Sequence, residues 1–285
     1  MIYVFLSVCC SVIVSVLLKL ARRYHINIYQ AITWNYSMAI VLSWFFLKPQ
    51  LPNLQGAPVV SYLFLGLLLP ALFVVMGISV RKSGIVRTDV AQRLSLFIPI
   101  IASFLLFDEN LNTLKLIGII LGFIAIACSI PLQNNGRVKQ VSAHAWIYLL
   151  LVFVGFGIID VLFKQMALNK AIAYNTSLFI VFVLAFVFSL LGLIYRVTAK
   201  KIRFSWLHIP LGWMLGTVNF CNILFYLKAH RVMASNPTTV FSAVNIGVIV
   251  LGALTGLVVF KEKLSLLNKA GIALAIIAII VIAKS

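Results

Sequence analysis

Two stretches of this chain carry one pattern. Phe107-x-Glu109-x-Leu111-x-x-Leu114-x-x-x-Gly118 returns as Phe260-x-Glu262-x-Leu264-x-x-Leu267-x-x-x-Gly271, five identities over twelve positions at a constant offset of 153 residues. Asn112 and Ser265 match at the same offset, and both are good N-cap types for a helix that follows. Lys19 and Lys164 are matched nearer the start of each half, 145 positions apart. Self-similarity at a fixed spacing is the signature of an internal repeat.

Working outward from the motif, each copy is flanked by long apolar runs. The chain has 285 residues, 63% of them hydrophobic and only 10% charged. Soluble globular proteins hold about 45–50% apolar and about 25% charged residues. A membrane-spanning helix needs about 20 apolar residues, and the runs divide into ten: 2–20, 28–47, 58–80, 88–107, 113–131, 145–165, 174–195, 206–228, 238–260 and 267–283. The runs lack the alternation of a β-barrel, so the reading is an all-α integral membrane protein. Soluble enzymes, nucleic-acid-binding domains and disordered regulators are excluded.

The domain division follows: residues 1–132 form a first five-span repeat, 133–144 a connection around Gln133-Asn134-Asn135-Gly136, and 145–285 a second repeat. Five is odd, so the second repeat must enter the membrane in the opposite orientation, an arrangement that recurs in secondary transporters. Met1 to Leu18 lacks a basic n-region and an A-x-A site and reads as a retained first span. Trp44, Trp146 and Trp206 lie near span ends, where an aromatic belt places them.

The net charge of +18 arises from 23 Lys+Arg against 5 Asp+Glu. In a soluble protein this would suggest nucleic acid; here the basic residues lie between apolar runs, facing headgroups. Fifteen follow odd-numbered spans and seven lie on the other side, with Arg93 inside a span, so the positive-inside rule favours both termini outside. An even span count puts both termini on one side in any case, and the plasma (inner) membrane is the expected location. Cys9, Cys10, Cys128 and Cys221 lie inside apolar runs without metal spacing.

No G-x-x-x-x-G-K-[ST] phosphate loop is present. A gradient of solute, proton or another ion must therefore drive any transport, without a bound cofactor. Ionisable groups inside spans are functional candidates by default. Asp160 and Lys164 are one helical turn apart on span 6, with Gly157 on the same face, and a pair there would reduce the insertion cost of both. Asp89 and Arg93 repeat that spacing at the start of span 4, beside Gln92. Span 8 aligns Asn219, Asn222 and Tyr226 on one face, and span 9 carries Ser242 and Asn245. Ser7, Ser11, Ser15 and Lys19 form a stripe at four-residue spacing; the serines read as helix packing, with Lys19 a cavity candidate. His25, His144, His208 and His230 are scattered near span ends with no metal constellation and read as surface histidines. Asn35-Tyr36-Ser37 and Asn175-Thr176-Ser177 match the glycosylation pattern, but they lie in or at spans and read as false positives.

The doubled F-x-E-x-L-x-x-L-x-x-x-G pattern, the ten spans and Pro99 within span 4 resemble the EamA-type branch of the drug/metabolite transporter (DMT) superfamily over essentially the whole chain. The resemblance implies a ten-helix bundle around a central cavity lined by spans 1, 3, 4, 6, 8 and 9, with spans 5 and 10 peripheral. It also implies export or exchange of small organic metabolites, with both termini inside. Within it, Glu109, Gly118, Glu262, Gly271 and Pro99 are structural motif residues, the glutamates serving as anchors at the positive ends of helices. Pro99 maps to Gly252, so the second half lacks the proline.

The expectation is a secondary transporter for amino acids or related amphiphiles, working by alternating access as a monomer or homodimer. A translocator of organic anions or lipid-linked sugars is the alternative within this fold. A membrane-embedded enzyme is the alternative from another class, but the five acidic residues give it a thin catalytic set.

Overall fold

The computed structural model describes residues 1–23, 26–50, 56–83, 85–107, 112–129, 145–169, 171–199, 204–259 and 266–284. Within them lie eleven helices: α1 Ile2–Arg23, α2 Ile28–Leu47, α3 Val59–Ser83, α4 Ile85–Leu94, α5 Phe97–Leu106, α6 Thr113–Ser129, α7 Ala145–Leu168, α8 Tyr174–Thr198, α9 His208–Val232, α10 Pro237–Val259 and α11 Leu266–Ala283. No strand occurs among the described residues. An apolar run in lipid has to satisfy its backbone within itself, and a helix does so.

Helix ends follow local chemistry. Asn27 Oδ1 accepts from the Tyr29 amide at 3.0 Å, and Asn112 Oδ1 accepts from the Lys115 amide at 2.7 Å. The expected cap on Asn112 is therefore present, while its counterpart Ser265 lies outside the described residues. Lys48 ends α2 in the left-handed region at φ 45°, just ahead of Pro49.

Among the described residues, five helical stretches are long and apolar enough to cross a membrane: Val59–Val80, Trp146–Leu168, Tyr174–Thr198, His208–Val232 and Pro237–Val258. Ile2–Leu18, Val90–Leu106, Thr113–Cys128 and Lys269–Ile282 are apolar but shorter. Polar residues dilute α2, yet Gln30, Thr33, Asn35 and Ser43 are all buried in it. The outer surface stays apolar, with Phe5, Phe45, Phe46, Val60, Leu105 and Val258 exposed, as a lipid-facing surface requires. Trp44, Trp146 and Trp206 are exposed at helix ends, as the belt reading expects.

One expected span differs. Residues 88–107 are not one rod: Ser95 and Leu96 form a turn between α4 and α5. Pro99 has no N–H for the Ser95 carbonyl, and its ring crowds that carbonyl. Ser95 O accepts instead from the Ile98 amide at 3.0 Å, three residues on. The equivalent stretch around Gly252 runs unbroken through α10.

The helices pack in recognisable pairs. α2 lies on α9 and α3 on α8; α1 lies on α9 and α3 on α7; α1 lies on α10, while α4 and α5 lie on α7; α2 meets α8, α5 meets α10, and α6 meets α11. Gly66 brings α3 close to α8, since a Cβ there would lie 2.5 Å from the Leu184 Cβ and 3.4 Å from the Ala185 amide nitrogen. Gly216 brings α9 equally close to α2 at Asn35. Gly118 packs α6 against Ile282 of α11, so this motif glycine marks a helix contact. Gly271 is buried on α11, and Glu109 and Glu262 lie outside the described residues. A central core of Tyr36, Leu65, Phe163, Phe182, Phe220, Leu227 and Phe241 joins both halves. A smaller cluster of Ala125, Ile246, Ala275, Ala278 and Ile282 holds α6, α10 and α11 together.

Candidate functional site

α9 carries the polar face from which the site is built. Asn219, Asn222 and Tyr226 recur at three- and four-residue spacing, so one helix face presents all three. The Tyr226 hydroxyl donates to Asp160 Oδ1 of α7 at 2.9 Å. One turn earlier, Asn222 Oδ1 accepts from the Ser7 hydroxyl of α1 at 2.8 Å. Asn219, one further turn back, is buried at 6% exposure. The face thus binds α7 through Tyr226 and α1 through Asn222, with the buried Asn219 continuing it toward the start of α9.

The aromatic packing fixes Tyr226. Its ring meets Phe163 edge-on at 6.2 Å and His230 edge-on at 4.6 Å, and His230 in turn lies 4.6 Å from Phe241 of α10. The tyrosine cannot rotate away without disturbing three rings, so its hydroxyl is held toward the carboxylate. A carboxylate in a membrane span is costly to desolvate, and a charge-assisted hydrogen bond offsets part of that cost.

Asp160 and Lys164 do not pair with each other. Lys164 is fully buried and donates to Ala234 O at 2.9 Å and His230 O at 3.5 Å. Those carbonyls close the last turn of α9 and the turn after it, where the intrahelical donors run out and a cation is favourable. Four-residue spacing put the two groups on one face. The long lysine stem then reached for the partial negative charge of the neighbouring helix end, and the shorter aspartate met a hydroxyl.

The other expected residues are dispersed. Gln92 and Arg93 are half-buried on α4, which packs on α7 and α3. Lys19 and Asp89 lie on described helices, but their side chains are outside the described residues. Asn245 donates to the Phe241 carbonyl of its own helix at 3.0 Å, and the Ser242 hydroxyl is buried without a partner among the described residues. Pro99 is buried at the α4–α5 break. Ser15 is exposed and bonds back to Ser11 O of its own helix, so it does not serve the expected helix packing, whereas Ser7 is buried and belongs to the polar face.

His230 corrects the expectation of a surface histidine. It is 0% exposed, and neither ring nitrogen has a partner among the described residues. Proximity to a span end suggested exposure, but α7 and α10 close over that end. His208 is half-buried, with Nδ1 2.9 Å from Gln30 Oε1. His25 and His144 lie outside the described residues. No group of His, Cys, Asp and Glu that could hold a metal occurs among the described residues. Beyond Lys164 and His230, a cavity of about 580 Å³ opens at the end of α7 and the start of α8, lined by Asn169, Tyr174, Asn175 and Arg231. The Arg231 guanidinium lies over the Tyr174 ring at 4.4 Å. The buried Asn35 and the Asn175 amide bonded to Leu47 O fit the reading of both glycosylation matches as false.

Known proteins bear on this geometry. Residues 1–130 match the EamA-like transporter family. An uncharacterized protein of Haemophilus influenzae (strain ATCC 51907 / DSM 11121 / KW20 / Rd) is 45% identical over 280 residues, covering 96% of this chain and 94% of its own. The chain belongs to the EamA-like transporter family. It is therefore a multi-pass membrane protein of a family that moves small solutes, part of the DMT superfamily. A protein crystal structure at 11% identity superposes with a TM-score of 0.74, over 98% of this chain and 94% of that one, and shares the fold.

Proposed function

We propose that this family member is a secondary transporter of small organic metabolites, amino acids or related amphiphiles, working by alternating access between two inverted five-span halves. The observation that carries the reading is the packing pattern. With α4 and α5 taken together as span 4, adding or subtracting five spans turns α2 on α9 into α8 on α3, α1 on α9 into α7 on α3, and α1 on α10 into α7 on α4 and α5. The pairs α2 with α8, α5 with α10 and α6 with α11 map onto themselves. The close approaches follow the same operation: Gly66 beside Ala185 and Gly216 beside Asn35 are each displaced by 150 positions (66 to 216, 35 to 185).

Interfaces that interchange in this way can exchange their geometries, which is what a rocking transporter requires. Asp160 with Tyr226 supplies an acidic subsite for an ammonium group, and the amides of Asn219 and Asn222 supply neutral donors and acceptors beside it. A gradient of solute, proton or other ion drives the cycle, and no bond is made or broken in the solute. The test is flux in reconstituted vesicles over a panel of amino acids, organic anions and aromatic cations. Uptake of zwitterions supports the reading. Uptake of organic anions alone would replace the solute class, and no uptake across the panel would defeat the reading.

A further inference from the structure

Two lysine–tyrosine contacts join one half of the chain to the other, and they sit at opposite ends of the bundle. Lys82, in the last turn of α3, lies 4.5 Å from the centroid of the Tyr148 ring and donates to its hydroxyl at 3.2 Å. Tyr148 is in the first turn of α7. Lys228, a turn before the end of α9, lies 5.8 Å from the centroid of Tyr3, in the first turn of α1. Several contacts fix the ends. Asp160 to Tyr226 joins late α7 to late α9, so these helices run parallel, while Ser7 to Asn222 joins early α1 to late α9. The start of α7 and the start of α1 therefore lie at opposite ends.

The two contacts also correspond in sequence. Tyr3 and Tyr148 are 145 positions apart, the separation already found for Lys19 and Lys164; on the 150-residue displacement that relates α3 to α9, Lys82 falls on Val232, so Lys228 stands one helical turn before the matching position, on the same helix face. In each contact a tyrosine opening the first span of one half meets a lysine closing the third span of the other. We infer that Lys82–Tyr148 and Tyr3–Lys228 are the two gates of the transporter, a lysine–tyrosine contact of the same kind at each end, engaged alternately.

This inference rests on the transporter reading and deepens it. Attraction between a cation and a ring acts within about 6 Å of the centroid. The Lys82 gate is engaged, with a hydrogen bond added, while the Lys228 gate stands at the limit of that range. A transporter needs its two end states close in free energy, and a small population shift requires only a small differential contact. Breaking one lysine–tyrosine contact while making its counterpart keeps the two states nearly balanced. Simple snorkelling toward headgroups would leave Lys82 pointing at water with no ring beneath it.

The test is amide hydrogen exchange on the full chain in lipid nanodiscs, read at residues 78–83 and 145–150 for one end and at residues 2–8 and 226–232 for the other. Lys82→Met is expected to raise exchange at its own end and lower it at the far end, about two- to fivefold each. Lys228→Met is expected to do the reverse, and the double substitution to restore the wild-type balance. Lys82→Arg, which keeps a cation over the ring, should leave the pattern unchanged. If Lys82→Met fails to fold, Tyr148→Phe, which removes only the hydroxyl, must show the same reciprocal shift in weaker form. Loosening confined to the mutated end, or no change at either end, overturns the gates. Flux in the same lipids separates the two readings. A wild type that carries solute without reciprocal exchange sinks the gates alone, whereas reciprocal exchange without flux over the whole panel counts against transport.

Discussion

Tyr226 is the residue through which the site can be tested with least damage to the fold. Its ring is held by Phe163 and His230, so Tyr226→Phe keeps the packing and removes only the donor to Asp160. A hydrogen bond to a charged group contributes about 1.5–3 kcal/mol. Flux should fall roughly ten- to a hundredfold with expression near normal, and unchanged flux would remove the pair from the site. Asp160→Asn should abolish flux of ammonium-bearing solutes while the chain still folds. Lys164→Met should behave in the opposite way. It strips the donor from Ala234 O and His230 O, costing about 1–3 kcal/mol of stability, with less loss of flux per folded molecule. Asp160 and Lys164 do not pair, but Tyr226 bonded to the first packs on His230 bonded to the second, so the stability effects of the two substitutions should depart from additivity by about 0.5–3 kcal/mol. Thermal unfolding of both single variants and the double variant in detergent checks this. The sequence placed both groups on one face of one helix, since four-residue spacing is local. Their partners lie about seventy residues away on α9, and no local spacing announces them.

Glycine and proline govern the elements. Gly118 and Gly252 both interrupt apolar helices, yet a Cβ at Gly118 would run into Ile282, while a Cβ at Gly252 meets nothing within 4 Å. Gly118→Ala should therefore destabilise the α6–α11 contact by about 1–3 kcal/mol. Gly252→Ala should be neutral or stabilise by up to about 1 kcal/mol through helix propensity. Equal midpoints of thermal unfolding for the two variants would refute the distinction. Helix positions were legible because long apolar runs between caps and prolines leave little choice, and α2 runs over the expected residues. Pro99 alone does not place the α4–α5 break. A proline inside a membrane helix is tolerated in some settings, as Pro70 within the unbroken α3 illustrates. Whether the freed carbonyl takes a donor one residue nearer depends on packing.

At the scale of the whole molecule, Glu109 and Glu262 point to the proposed repeat from the sequence alone, while the contacts between the halves have no local signal. Tyr3 and Tyr148 stand at the separation that matched Lys19 with Lys164, but a lone matched tyrosine carries no meaning until a lysine is seen over its ring. The proposed inversion makes a demand that no single contact makes. If each half crosses the membrane five times, the 133–144 connection must face the side opposite both termini. If the halves instead run parallel, each crosses an even number of times, and the connection shares a side with the termini. Short epitope tags at residue 1, within 133–144 and at residue 285, probed in sealed membranes of known orientation, distinguish these cases. The terminal tags are expected to respond together and the central tag from the other side. The basic residues add a direction: the ends carrying fifteen of the 23 Lys+Arg, the tagged connection among them, should face the cytoplasm. Labelling of all three tags from one side would dismantle the inverted arrangement. It would also dismantle the gates, since Lys82–Tyr148 and Tyr3–Lys228 could then no longer guard opposite faces.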